Sequence, residues 1–347
     1  METKMERWSA CGKFKPTFQE DRPCIYYDEQ GDGKVCGFCT LPDMYRCVCD
    51  LGYKPLPISH SGVQDFLSCH YLYYLTRVVG LGTKKQFLSN PIKMGVLWDM
   101  ALRMKSGGAT KEDMQRIVDE YAIEDPEIQK VRALSRAYSR LGIQPAEGGE
   151  LQASVDMRIV FEEGWVWGTG QPVELRVTGF YDRKYEDWFV ESKLSGRPDS
   201  YNDIFFIQSQ VGTYFLADDK LQSVVMEVAR TPELRLSKTE EDNLEAYGRR
   251  IENDIMARPA HYFIGYDSNK RTFGKRFYRN EFDLVNLKDR YKHIFREMHE
   301  AAALDGWYKN DRACKNLLPG ISCGMLPICR YGKASETVFE IRPKAGT

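Results

Sequence analysis

Residues Val173–Lys193 carry the pattern that most constrains the fold of this chain. Apolar and polar side chains alternate in both halves of this range, on either side of a short polar segment. An alternation with a period of two indicates a half-buried β-strand, so we predict a β-hairpin with its turn at Arg183–Asp187. Residues two apart share one face of a strand, so Glu191 and Lys193 point the same way. Asp182, at the end of the neighbouring strand, is expected to face them.

This group of charges has two interpretations. Asp182, Glu191 and Lys193 could form a solvated salt-bridge face, which is the common role of such residues near a hairpin. Alternatively, the carboxylate oxygens are hard ligands that suit Mg²⁺ or Mn²⁺, and a lysine beside the metal can orient a water molecule. The next segment has the apolar spacing of a helix and places Gln210 and Tyr214, four residues apart, on one face.

Together these residues resemble the core of the RecB-like branch of the PD-(D/E)xK nucleases. The matching motifs are Gly179-x-x-Asp182, Glu191-x-Lys193 and Gln210-x-x-x-Tyr214. The resemblance implies a metal-dependent deoxyribonuclease, an exonuclease rather than an endonuclease, that acts in DNA processing, repair or recombination. It also implies roles for the site residues. Asp182 and Glu191, with the Ser192 carbonyl, would bind Mg²⁺ or Mn²⁺, Lys193 would orient the attacking water, and Gln210 and Tyr214 would position the site or its DNA.

The remaining pattern predicts an α/β protein with a small mixed β-sheet flanked by helices, a restriction-endonuclease-like core, a helical insertion and a cysteine-rich N-terminal segment. Helices are expected over residues 59–80, 92–105, 110–122, 125–142, 237–256 and 282–304, and further strands over 153–161 and 221–228. The predicted division is a cysteine-rich segment over 1–55 and a nuclease domain over 56–335, with a helical part at 59–143, a catalytic core at 150–232 and a C-terminal part at 237–330.

A further metal ligand is predicted within the helix over 92–105. Gly95-Val-Leu-Trp-Asp99 falls where relatives of the family have Gly-x-x-x-His, whose histidine is an extra metal ligand. Asp99 can also ligate Mg²⁺, although an ordinary exposed helix residue is the alternative. The replacement also favours a second function, that of a catalytically inactive DNA-binding subunit of a repair complex with the same fold.

The chain contains ten cysteines. In a reducing compartment, metal or cluster ligation explains them better than a disulfide scaffold, and buried thiols are the alternative. The resemblance implies that Cys69, before the core, and Cys314, Cys323 and Cys329, after it, bind a [4Fe–4S] cluster. The eight-residue gap between Cys314 and Cys323, where the family has two residues, leaves zinc open.

The N-terminal segment holds a second group of cysteines. Cys36-Gly-Phe-Cys39 has the spacing of a knuckle that wraps a tetrahedral ion, and two of Cys24, Cys47 and Cys49 could complete four thiolates around Zn²⁺. Unligated thiols in an irregular segment are the alternative. If this segment determines the function, the chain is a zinc-binding interaction module.

The formal net charge is −1, so contact with DNA must come from local basic patches. The candidate patch combines cations for phosphates with rings for base stacking, and a solvated hairpin is the alternative. Its residues are Lys270, Arg271, Lys275 and Arg276, interleaved with Phe273, Phe277 and Tyr278. The expected partner is DNA that is single-stranded or has free ends, while protein partners stay open.

The first residues lack an apolar signal core, and no stretch approaches eighteen uninterrupted apolar residues. We therefore expect an intracellular, cytoplasmic protein with no membrane contact.

Overall fold

The structure, a computed structural model, describes residues 58–145, 148–161, 173–199, 209–303, 306–310, 312, 314, 323–331 and 337–341. The predicted zinc ligands Cys24, Cys36, Cys39, Cys47 and Cys49 lie outside the described residues. The helices are α1 (His60–Ser68), α2 (His70–Tyr73), α3 (Asn90–Lys105), α4 (Lys111–Tyr121), α5 (Asp125–Arg140), α6 (Ser209–Ala217), α7 (Leu244–Ala257), α8 (Pro259–Tyr262), α9 (Leu284–Ala303) and α10 (Leu326–Tyr331). The strands are β1 (Ile58–Ser59), β2 (Leu81–Thr83), β3 (Glu150–Leu151), β4 (Ser154–Phe161), β5 (Val173–Phe180), β6 (Arg183–Lys184), β7 (Trp188–Ser195), β8 (Ser223–Arg230), β9 (Lys275–Tyr278) and β10 (Phe339–Ile341).

The chain divides into two compact units, each built from segments that are separate in sequence. Unit A comprises Lys84–Val155 and Phe180–Leu284, and unit B comprises Met1–Thr83, Asp156–Gly179 and Val285–Thr347. Each unit therefore combines stretches that the sequence analysis assigned to different parts of the chain. All the described candidate catalytic residues belong to unit A, and the four described cysteines belong to unit B.

The sheet of unit A has five strands in the order β3-β6-β7-β8-β9. Strands β7 and β8 run parallel along their whole length, while the β3–β6, β6–β7 and β8–β9 pairs are antiparallel. Helix α6 buries Val211 and Phe215 against apolar residues of the sheet, among them Phe189 and Val224. A mixed sheet flanked by helices confirms the predicted α/β fold.

The helical part of unit A packs α3, α5 and α7 around a core that includes Trp98, Leu134 and Ile251. The ends of α3, α4 and α5 lie within two residues of their predicted positions. The predicted helix over 237–256 differs, since a 3₁₀ turn at Lys238–Glu240 precedes α7. Asn243 begins α7 because its side chain accepts a hydrogen bond from the Ala246 amide, as N-cap residues do.

The predicted hairpin is shorter than the alternation indicated. The antiparallel partner of β7 is the two-residue strand β6, whereas β5 lies in a three-stranded sheet of order β1-β5-β4. The chain leaves the strand conformation after Phe180 and bends at Asp182, whose carbonyl accepts a hydrogen bond from the Gln152 amide. Both halves are strands as predicted, but they belong to different sheets.

The predicted helix over 59–80 is interrupted in unit B. Cys69 has an extended backbone, with φ −165° and ψ 119°, and separates α1 from α2. Its thiol lies in an apolar cluster with Leu72, Cys323 and Phe339. None of the helices in the described ranges is long and apolar enough to cross a membrane.

Candidate active site

The short antiparallel pairing of β6 with β7 places two carboxyl groups of the candidate site opposite each other. Arg183 pairs with Val190 in this antiparallel ladder, so the next residues outward, Asp182 and Glu191, also face one another. The Ser192 amide donates a 2.7 Å hydrogen bond to Oδ2 of Asp182. The bend at Asp182 is thereby fixed to the strand that carries Glu191.

Lys193 lies on the same face of β7 as Glu191 and donates a hydrogen bond to its carboxylate. The Lys193 ammonium also lies 3.4 Å from Oε1 of Gln210. Gln210 donates to the Tyr214 hydroxyl at 2.8 Å, and that hydroxyl donates to the Phe180 carbonyl at 2.9 Å. Helix α6 thus joins the ammonium group to the backbone beside Asp182 by a chain of hydrogen bonds.

Glu191 is almost completely buried, with 1% of its surface exposed. Burial raises the pKa of its carboxyl to about 7, because the charged form loses its hydration. Lys193 opposes this rise in pKa, while the negative charges of Asp182 and Asp99 add to it. Oxygen Oε2 of Glu191 is buried and has no hydrogen-bond partner among the residues that the structure describes. A buried acceptor without a partner is costly, so the site has an unmet demand for a cation or donor.

Asp182 and Asp99 share this electrostatic environment. Burial raises the pKa of Asp182, and the Lys193 ammonium and the Ser192 amide oppose that rise. Burial and the charge of Asp182 raise the pKa of Asp99 to about 6, against the lowering effect of Arg103 at 4.0 Å and of Lys193. Asp99 keeps 42% of its side-chain surface exposed, so it lies at the open side of the group. The structure therefore brings α3 to the carboxylates of β7 and the bend.

The donor types of this group are those that a divalent cation prefers. Within the described ranges, no three His, Cys, Asp or Glu side chains stand close enough to form a preformed metal site. However, Asp182 raises the pKa of both Asp99 and Glu191, Asp99 raises that of Glu191, and one buried oxygen lacks a partner among the described residues. Hard carboxylate and carbonyl oxygens are the ligands that Mg²⁺ and Mn²⁺ prefer. A bound cation would favour the ionised form of these carboxyl groups and would give the buried oxygen of Glu191 a partner.

The sequence analysis missed Glu227 on β8. Glu227 is paired with Ser192 in the parallel register, and the Ser192 hydroxyl donates to its carboxylate at 3.2 Å. Burial raises the pKa of Glu227 to about 7, with Arg183 and Ser192 opposing the rise. Glu227 and Ser192 point to the face of the sheet opposite to Glu191, because successive side chains of a strand alternate between the two faces. The available signal was its position as the single acid in the apolar run of β8.

The four described cysteines converge in unit B, and none of them forms a disulfide. The Cys69 thiol receives a 3.3 Å hydrogen bond from the Asn310 amide, and the Cys323 amide donates to the Cys314 carbonyl at 3.1 Å. Burial, with smaller contributions from Cys329 and the other two cysteines, raises the pKa of the Cys323 thiol to about 11. The four thiols thus lie near one another, although no three of them stand close enough, among the described residues, to form a preformed metal site.

In the basic patch the four cationic residues are exposed, but two of the three aromatic rings are buried. Phe273 and Phe277 are core residues, 4% and 2% exposed, so the expectation that they stack on bases is wrong. Tyr278 remains 55% exposed. Arg276 lies over the Trp188 ring, 4.8 Å from its centroid, and Trp188 stacks on Tyr185 with the planes 2° from parallel. The side chains of Lys270, Arg271, Lys275 and Arg276 belong to exposed residues.

The family model described as the PD-(D/E)XK nuclease superfamily matches residues 57–330. This range contains both the carboxylate group and the four converging cysteines. A search of curated proteins finds none that matches the chain.

Proposed function

Since the chain belongs to the PD-(D/E)XK nuclease superfamily, we propose that it is a metal-dependent deoxyribonuclease. The observation that carries this proposal is the group formed by Asp99, Asp182 and Glu191 beside Lys193. Burial raises the pKa of all three carboxyl groups, the charge of Asp182 adds to the rise for Asp99 and Glu191, and Glu191 holds a buried oxygen without a partner among the described residues. A solvated salt-bridge face would not bury a carboxylate at 1% exposure.

Asp182, Glu191 and the Ser192 carbonyl would hold Mg²⁺ or Mn²⁺, and Asp99 would add a further oxygen ligand. The cation supplies Lewis acidity, which activates water and offsets the charge that develops on the phosphate. Asp99 stands where relatives have histidine, and an oxygen donor there suits the same hard cations. We therefore propose that the replacement alters the ligand set without removing the site.

Lys193 would orient the attacking water and stabilise negative charge on the phosphate. Its ammonium is held by Glu191 and Gln210, and Gln210 is held in turn by Tyr214. A donor that is fixed before the substrate binds pays no reorganisation cost during the reaction. Gln210 and Tyr214 therefore act as positioning residues, through Lys193.

The patch of Lys270, Arg271, Lys275 and Arg276 would bind the DNA backbone. Arg271 occupies the left-handed region, with φ +53°, and its side chain packs against Gly142. Lys270 keeps 79% of its side-chain surface exposed, with a loose ion pair to Asp267 at 3.8 Å. Exposed cations of this kind contact phosphates without reading sequence.

We also propose that the chain is of the RecB-like type and that Cys69, Cys314, Cys323 and Cys329 bind a [4Fe–4S] cluster. The support is their convergence in unit B and the amide hydrogen bond to the Cys69 sulfur. Hydrogen bonds to sulfur are a feature of protein-bound clusters. The long gap between Cys314 and Cys323 keeps zinc as the competing metal. Iron and sulfide analysis of protein purified without oxygen distinguishes the two.

The test of the main proposal uses end-labelled single-stranded, duplex and circular DNA with Mg²⁺, Mn²⁺ or chelator. We expect metal-dependent release of nucleotides from ends, no cleavage in chelator, and little cleavage of circles, as for an exonuclease. The Lys193→Ala variant should bind DNA but not cut it. If the parent with bound metal cuts no DNA, the proposal fails and a DNA-binding repair subunit replaces it.

A further inference from the structure

Phe180 is a large aromatic residue that the fold leaves exposed beside the carboxylates. It keeps 60% of its surface exposed, while the next residue, Tyr181, is 1% exposed. Phe180 is the last residue of β5, and the chain reaches Asp182 two residues later, at the bend. Two residues span at most about 7 Å of chain, so the backbone of Phe180 lies within about that distance of Asp182. The exposed ring is therefore carried by the backbone that leads directly into the proposed metal ligand.

The backbone that presents this ring is fixed from both sides. The Phe180 carbonyl accepts the 2.9 Å hydrogen bond from the Tyr214 hydroxyl. The Tyr181 hydroxyl donates to the Tyr214 carbonyl at 3.2 Å, and its ring packs against Phe189 at 5.2 Å between centroids. An exposed phenylalanine on such a support loses little conformational freedom when it binds a planar partner.

We propose that Phe180 determines substrate specificity by stacking on an unpaired base next to the scissile phosphate. This inference rests on the proposed nuclease function. Every nucleobase has a π-face, so a ring at this place selects for bases whose faces are free and is tolerant of sequence. Bases inside a duplex are covered by their neighbours, whereas single strands and frayed ends offer a free face. Single-stranded DNA is the substrate class that this position favours.

The experiment compares Phe180→Leu, which keeps apolar bulk without a ring, with Phe180→Trp, which keeps the ring. On single-stranded DNA we expect Phe180→Leu to raise KM about tenfold, within the range found when a base-stacking ring is removed, with kcat little changed. Phe180→Trp should retain the parent KM. A phenylalanine of the same unit that is 46% exposed, Phe87, provides the control variant Phe87→Leu, with no expected change.

Two further measurements decide the mechanism. An oligonucleotide with an abasic terminal nucleotide, prepared separately for each end, should be cut equally well by the parent and Phe180→Leu. The same KM for Phe180→Leu and the parent on intact DNA, or a defect that persists on abasic DNA, would overturn the proposal. Quenching of terminal 2-aminopurine in chelator reports stacking without cleavage. If the parent protein quenches the fluorescence but does not cut DNA, only the proposed nuclease reaction is contradicted. If the parent cuts DNA but does not quench the fluorescence, the stacking proposal is contradicted.

Discussion

Replacement of Glu191 by glutamine tests the electrostatic basis of the proposed site. Burial and the nearby carboxylates raise the pKa of Glu191 from 4.5 to about 7, although Lys193 opposes them. This rise is equivalent to about 3 kcal/mol between the two protonation states. The folded protein binds the proton more tightly than the unfolded chain does. The contribution of Glu191 to the free energy of unfolding therefore falls as the pH rises from 4.5 to 7. Above pH 7 this contribution is about 3 kcal/mol lower than it is below pH 4.5.

We therefore expect Glu191→Gln to increase the free energy of unfolding at pH 8, in chelator, by up to about 3 kcal/mol. At pH 4.5 and below, Glu191 is largely protonated in the folded protein. The variant and the parent should therefore have similar free energies of unfolding there. The gain should come with loss of cleavage. Urea denaturation at the two pH values measures the difference, and added Mg²⁺ should stabilise the parent more than the variant.

Glu252→Gln is the matched control, because Glu252 is a buried glutamate with the opposite electrostatics. Burial opposes ionisation there too, but the hydrogen bonds from Arg140 and Arg136, each 2.8 Å long, outweigh it and lower the pKa. Glu252→Gln should therefore reduce stability at pH 8. A Glu191→Gln variant that is less stable than the parent at pH 8 would refute the reasoning, since Glu191 would then be a stabilising ion-pair partner.

Three further outcomes are expected. Lys193→Ala should slow single-turnover cleavage at least about 100-fold, with the affinity for DNA in chelator unchanged, because it removes a fixed donor from the reacting phosphate. Joint neutralisation of Lys270, Arg271 and Arg276 should weaken DNA binding and reduce the salt dependence of log K by about two, measured by titration at several salt concentrations. Cys323→Ala should lose sulfide-bearing iron and lower the melting temperature, and retention of the full iron content would contradict the cluster.

The residue types of the site were predictable because the motifs are local. Glu191 and Lys193 share a strand, and Gln210 and Tyr214 share a helical turn, so spacing alone places each pair on one face. The convergence of Asp99 with these residues rested on the family resemblance, since nothing in local periodicity brings α3 to the sheet.

Features set by tertiary pairing were not predictable in the same way. The alternation over Val173–Lys193 indicates strands but not their partners, so the assignment of β5 to another sheet did not follow from it. Phe273 and Phe277 lie among cations in the sequence, whereas in the fold β9 pairs with β8 and Phe277 joins the core between the sheet and α6. The break at Cys69 is likewise invisible in a pattern that continues across it.

The pairing of β2 with β10 sets the order in which the two units can fold during synthesis. Strand β2 (Leu81–Thr83) emerges early, but its antiparallel partner Phe339–Ile341 emerges after every residue of unit A has been made. The ribosome adds residues one by one, and domains fold as units when their segments are available. Unit A can thus complete its contacts during synthesis. In unit B, β2 cannot pair with β10 until residues Phe339–Ile341 have left the ribosome.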